Sequence, residues 1–127
     1  ILNNKKEVSM LIKVRSLDEN GNTSLYHQLE INGEAFSDFV KSREKETKEK
    51  GAEWAMGGIT VFAKEILKLV KNQGSERDIE MEFTNLTMMA WLIDSIWGGI
   101  SYKKLLKCDF DFVVHPDGTV IYNREEK

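Results

Sequence analysis

Cysteine and proline each occur once in these 127 residues, and histidine occurs only twice. The single cysteine, Cys108, excludes an intramolecular disulfide and a zinc site built from cysteines, and this usage is typical of a reducing cytoplasm. No apolar run approaches the roughly 18 residues of a membrane span, and no signal-peptide pattern opens the chain. These scarcities predict a cytoplasmic protein without a membrane partner.

Positive charge is not in excess either. The 18 Lys and Arg residues face 21 Asp and Glu residues, which leaves a net charge of −3. Nucleic-acid-binding proteins usually carry a basic excess, because the counterions released from phosphates drive much of their affinity. The charge balance therefore argues against nucleic acid as a partner and favours a basic protein.

The length fits one domain, and 41% hydrophobic with 31% charged residues is typical of a globular chain. Residues 1–9 precede Met10, which opens the first strand pattern. The triplet Lys6-Glu7-Val8 can be encoded by a purine-rich ribosome-binding site. These nine residues are therefore either an untranslated leader of a bacterial or phage gene or an ordinary N-terminal tail. In both interpretations residues 10–127 form the domain.

Alternating apolar and polar residues predict two hairpins, one over residues 10–31 and one over residues 108–123. In the second hairpin, residues 115–118 (His-Pro-Asp-Gly) form the turn, because proline presets φ and glycine suits a left-handed position. A further alternating segment, residues 78–84, predicts a separate strand between helices.

Three segments have helical spacing of their apolar residues. Residues 34–50 begin with an apolar stripe and end in a wholly charged half, which we expect to be solvated. Residues 52–71 carry one broad stripe, and the Gly57-Gly58 pair within it requires a close helix crossing or a kink as compensation. Residues 86–97 are apolar nearly all round, so this helix is either central or covered by a partner.

The predicted order is β-β-α-α-β-α-β-β. It indicates a single α+β domain with a mixed or mainly antiparallel sheet and helices packed on one face.

An acidic sheet face is the first candidate functional site. If strand 78–84 and the strand from Cys108 to Val114 are neighbours, five carboxylates share one face. Three interpretations stay open: a docking face for a basic protein, a divalent-cation site, or a solvated face neutralised by Lys13 and Arg15. The carboxylates are Asp78, Glu80, Glu82, Asp109 and Asp111.

Large apolar side chains are the second candidate. Trp54, Met88, Trp91 and Trp97 are more than a small core is expected to hold, and exposed Trp or Met marks interfaces. Trp91 and Trp97 are therefore candidate anchors for a partner. The alternatives are a homodimer through helix 86–97 and packing inside the core.

Motifs of serine hydrolases, P-loop proteins and dinucleotide-binding proteins are absent from the sequence. His27 shares a strand face with leucines, and Cys108 has the parity of inward-facing phenylalanines, so we interpret both as structural residues. We therefore expect no enzyme activity and no cofactor.

The leading hypothesis is a small acidic, non-enzymatic binding protein of bacterial or phage origin. It would block a basic partner in the manner of an immunity protein or an inhibitor of a host defence nuclease. One alternative is a self-associating accessory protein of a phage or mobile element. The other is a small metal-dependent enzyme that uses the carboxylate cluster.

Overall fold

The computed structural model describes residues 9–127, which form one four-stranded sheet and a layer of helices packed against it. The strands are β1 (Ser9–Leu17), β2 (Thr23–Asn32), β3 (Cys108–Val114) and β4 (Val120–Glu126). The helices are α1 (Gly33–Lys41), α2 (Glu44–Lys50), α3 (Ala52–Lys71), α4 (Glu76–Leu92) and α5 (Tyr102–Leu105), and a π-helical segment (Ile93–Trp97) continues α4. The predicted α+β class is confirmed.

The sheet is mixed, as predicted, with the strand order β2-β1-β3-β4. The two hairpins, β1–β2 and β3–β4, are antiparallel, and β1 pairs with β3 in parallel. In this register Ile12 lies opposite Leu29 on one side and Phe110 on the other. The hairpins at the two ends of the chain therefore meet through their inner strands.

The core lies between the inner face of the sheet and helices α3 and α4. Alternate residues of β1 and β3 are buried because successive side chains of a strand point to opposite faces. The fully buried large side chains come from the sheet and the helices: Met10, Ile12, Val14, Ile59, Ile66, Phe83, Leu86, Trp91, Leu92, Leu105, Phe110 and Phe112.

The predicted strand over residues 78–84 is wrong, because these residues lie in α4. The alternation of Ile79, Met81 and Phe83 misleads, since Ile79 and Phe83 are also four residues apart and are buried as one helical stripe. Met81 points to solvent instead. Ser75 caps the helix by accepting a hydrogen bond from the Asp78 backbone N–H at 3.1 Å.

The charged half of the predicted helix 34–50 forms a helix of its own, α2. Its Thr47 side chain is buried, and its hydroxyl donates a hydrogen bond to the Arg43 carbonyl oxygen at 2.8 Å. Glu46 and Lys50, four residues apart in α2, form an ion pair at 2.9 Å. Gly51 ends α2 at a positive φ of 95°, which favours glycine.

The Gly57-Gly58 pair lies where α3 crosses α4. A Cβ added at Gly58 would lie 3.0 Å from the Met89 sulfur, so glycine at this position permits the close helix crossing that the sequence requires. No helix among residues 9–127 combines the length and the apolar character that crossing a bilayer demands.

The interpretation of residues 1–9 as a leader or tail concerns residues 1–8, which lie outside the described part of the chain. Ser9 is already the first residue of β1 and lies opposite Asn32.

Candidate functional site

The predicted acidic sheet face does not form. Asp78, Glu80 and Glu82 lie on helix α4, whereas Asp109 and Asp111 lie on β3, in the outer face of the sheet. The five carboxylates are therefore divided between two surfaces, because the segment that was to bring them together is helical.

The two carboxylates on β3 are engaged by the sheet itself. Arg15 donates to both carboxylate oxygens of Asp111, with each nitrogen–oxygen distance 3.3 Å. Asp109 accepts a hydrogen bond from the Leu11 backbone N–H at 2.9 Å and lies 3.3 Å from the Lys127 ammonium. Of the two cations expected to neutralise this face, Arg15 pairs with Asp111, whereas the cation that pairs with Asp109 is Lys127 and not Lys13.

The tryptophans expected to anchor a partner are separated as well. Trp91 is fully buried, with its ring edge-on to Phe36 at 5.1 Å between centroids and stacked on Tyr102 at 5.8 Å. Trp97, at the end of the π-helical segment, is 45% exposed. Residues 86–92 of α4 are buried in the core, so Trp91 is inaccessible, and Trp97 is the one large apolar side chain of residues 86–97 that is exposed.

The two candidate reactive groups, His27 and Cys108, face the interior of the fold. His27 lies on the inner face of β2, 5.8 Å from the Phe83 ring between centroids. Cys108 is buried, and burial raises the pKa of its thiol, which disfavours the nucleophilic thiolate. Within residues 9–127 no three His, Cys, Asp or Glu side chains are grouped as a metal ion requires.

Two cavities lie along the seam of α3 and α4. The upper cavity, of about 570 Å³, lies between α2, α3 and α4 and is lined in its apolar section by Trp54, Gly57, Val61 and Met88. Val61 also borders the second cavity, of about 370 Å³, farther along the same seam. Because Val61 borders both, the two cavities are neighbours along the seam, and we call them together the α3–α4 groove.

Three large apolar side chains in the α3–α4 groove face solvent. The exposed fractions are 42% for Trp54, 61% for Val61 and 52% for Met81. Scattered exposed apolar residues are common on proteins, but these three line two neighbouring cavities that share Val61. An apolar surface of this kind is typical of a binding site.

The lower part of the α3–α4 groove is acidic. It is bordered by Glu65 of α3 and by Asp78 and Glu82 of α4, and among residues 9–127 no Lys or Arg lines it. Glu82 accepts a hydrogen bond from the neutral Asn85 amide at 3.3 Å. None of these three carboxylates takes part in an ion pair within residues 9–127. Two of the five carboxylates that the sequence singled out therefore do border a candidate site, although not the predicted one.

The upper end of the α3–α4 groove carries compensated charges. Glu46 lies between Arg43 at 3.5 Å and Lys50 at 2.9 Å, and these cations hold the pKa of its carboxyl below the ordinary value. The Lys50 ammonium lies 4.6 Å from the centre of the Trp54 ring, a cation–π distance. The charge of the groove consequently becomes more negative from Trp54 towards Asp78.

Gly57 leaves the middle of the α3–α4 groove open. A Cβ added at this position would meet no atom within 4 Å, so no tertiary contact requires glycine there. Glycine inside a helix is about 0.8–1 kcal/mol less favourable than alanine. Helix α3 carries that cost at Gly57, where the missing side chain leaves open space in the groove.

Trp54 is the groove residue of α3 that the sequence indicates as a candidate interface residue. Val61, Glu65 and Met81, which also line the groove, are not indicated by it. A signal was present, because Trp54, Gly57 and Val61 recur at helical spacing off the apolar stripe of α3. Met81 was assigned to the core because residues 78–84 were interpreted as a strand.

Comparison of this chain with models of protein families, with curated proteins and with solved structures finds no match. The geometry and chemistry of the surfaces described above are therefore the evidence for a function.

Proposed function

We propose that this protein is a non-enzymatic binding protein that captures a basic, amphipathic segment of a partner protein in the α3–α4 groove. The observation that carries the proposal is the combination of exposed apolar side chains with an unpaired acidic border in one groove. By covering that segment, the protein prevents the partner from using it, as an inhibitory binding protein does.

The dimensions of the groove favour a helical segment. Trp54 and Leu69, at its two ends, are 15 residues apart in α3. At 1.5 Å per residue this corresponds to about 22 Å, or about four helical turns of a partner. Helices that bind in apolar grooves insert side chains at i, i+3, i+4 and i+7, and Val61 and Met81 would contact such a stripe.

The acidic border specifies the charge of the occupant. Lys or Arg residues flanking the apolar stripe of the partner would lie near Glu65, Asp78 and Glu82. Charges at the edge of an interface steer association and suppress like-charged partners more than they add affinity. We therefore expect binding to weaken as the salt concentration rises, because these carboxylates are exposed or half-buried.

The first test uses a fluorescent amphipathic helix of about 15 residues built from Leu and Lys, which matches the length of the groove. Anisotropy titration should show binding of this peptide and much weaker binding of its Leu and Glu counterpart. Equal binding of the two peptides would contradict the proposal.

Matched variants locate the binding site. Glu65→Gln with Glu82→Gln should weaken binding of the Leu and Lys peptide about two- to thirtyfold, since each of the two exposed pairs contributes about 0.2–1 kcal/mol. The control, Glu30→Gln with Glu125→Gln, removes the same charge from the sheet and should have little effect. Asp78 is retained because a carboxylate in the first turn of α4 also stabilises the helix.

An apolar pair of variants completes the design. Met81→Ser should weaken peptide binding, whereas Ile121→Ser, at an equally exposed position on β4, should not. If the members of either matched pair behaved alike, the peptide would be binding the surface nonspecifically and the proposed site would be wrong.

A further inference from the structure

The two edges of the sheet are built differently. Proteins usually protect an edge strand with lysine, proline, bulges or a charge pointing towards the core. Strand β4 has such a charge, because Arg124 points inward and pairs with Asp94 at 2.8 Å. Strand β2 contains no Lys, Arg or Pro, and its only formal charge is Glu30.

The free edge of β2 is long and regular. Its ladder with β1 shifts register only near the turn, between Ser16 and Leu17, so residues 25–32 are regularly paired. No strand of the described chain pairs with the other side of β2. The backbone groups along this edge are therefore available for an additional strand.

The inner face of β2 is only partly covered by the helices. Leu25, Leu29 and Ile31 pack against the core but remain partly exposed, unlike their fully buried counterparts on β1. A strand added beside β2 would cover this residual apolar surface. The edge thus offers apolar contact as well as backbone hydrogen bonds.

The sequence of β2 is complementary to itself. An antiparallel pairing of two copies about a two-fold axis at Gln28 places Leu25 opposite Ile31 and the neutral His27 ring opposite Leu29 on the inner face, and it opposes no like charges. The directly opposed pairs are Leu25 with Ile31, Tyr26 with Glu30, His27 with Leu29, and Gln28 with its own copy.

We propose that the free edge of β2 is a homodimer interface in which two copies form a continuous eight-stranded sheet. The occupant is a second copy, because in the register about Gln28 each β2 strand makes the same side-chain pairs with the other. This interface is independent of the proposed peptide-binding function, since no β2 residue lines the α3–α4 groove.

Light scattering on the eluting protein gives the test. The chain should behave as a dimer, and Gln28→Lys should raise the dissociation constant at least about tenfold, because two lysines then face each other at the axis. Gln28 is exposed, so the substitution leaves the core of each copy intact. The matched control is Asn123→Lys on β4, exposed on the same outer face, which should remain dimeric.

Charge complementation makes the test specific to the two-fold register. Gln28→Lys and Gln28→Glu variants should each be weak dimers alone and should form a heterodimer when mixed. A monomeric parent chain, or a dimer unaffected by Gln28→Lys, would overturn the proposal. Either result would leave peptide binding in the α3–α4 groove untouched, so the two proposals fail separately.

Discussion

The phenol of Tyr122 donates a hydrogen bond to the carboxylate of Asp94 across 2.8 Å and joins the π-helical segment to strand β4. Arg124 lies 2.8 Å from the second carboxylate oxygen as an ion pair, without the alignment of a hydrogen bond. Asp94 is buried, so the pair formed with Arg124 offsets the cost of removing the carboxylate from water.

We expect Asp94→Ala to lower the free energy of unfolding by about 2–3 kcal/mol, because it removes the partner of both Tyr122 and Arg124. Tyr122→Phe should cost about 1 kcal/mol, the usual contribution of one hydrogen bond. Urea denaturation measures both values. The double variant should cost less than the sum, since both changes remove the same contact, and strict additivity would contradict the coupling.

The stability should fall in alkaline solution. Burial, with a contribution from Glu44, raises the pKa of Tyr102 to about 12, and burial together with Asp94 raises the pKa of Tyr122 well above its ordinary value. Unfolded tyrosines release their protons near pH 10, whereas these two retain them in the folded state. Their contribution is therefore complete below about pH 10 and declines as the pH rises towards 12.

Thermal unfolding between about pH 9 and pH 12 checks this sign. The Tyr102→Phe, Tyr122→Phe double variant should lose less stability over that range than the parent chain. Identical declines would mean that other groups, such as the lysines, account for the whole effect.

The adjacent glycines of α3 should respond oppositely to alanine. Gly57→Ala should raise the free energy of unfolding by about 0.5–1 kcal/mol, because the added methyl meets open space and the helix gains propensity. Gly58→Ala should gain nothing or destabilise, because its methyl would press on Met89. Chemical denaturation of the two variants side by side gives the comparison, and equal stabilisation would exclude the close crossing.

The helical assignment of residues 78–84 also has a direct test. Ile79→Ala should cost about 2–4 kcal/mol because Ile79 is buried, whereas Met81→Ala should change stability by less than about 1 kcal/mol because Met81 is exposed. In the strand that alternation predicted, both side chains would face the core and both changes would be costly. Similar losses for the two variants would therefore favour the strand.

Local patterns identified the elements whose conformation depends on near neighbours. Both hairpins, the turn at residues 115–118 and the helical conformation of residues 86–92 follow from residues a few positions apart. Residues 78–84 satisfied two periods at once, because Ile79 and Phe83 fit both a strand and a helix. The helix is the correct alternative because the buried apolar stripe continues to Leu86 and because Ser75 caps the helix.

Alternation and turn chemistry act over short distances, so the residues alone were enough to predict the α+β class, the hairpins, the inward-facing, partly buried position of His27 and the buried position of Cys108. Only the tertiary structure decided which charges meet, since Arg15 and Asp111 are 96 residues apart in the chain and adjacent across the parallel pair β1–β3. It also decided where a groove opens, because the crossing of α3 and α4 at Gly58 leaves Val61 and Met81 uncovered. Charge neutralisation and surface shape depend on contacts between distant segments, which local periodicity does not encode.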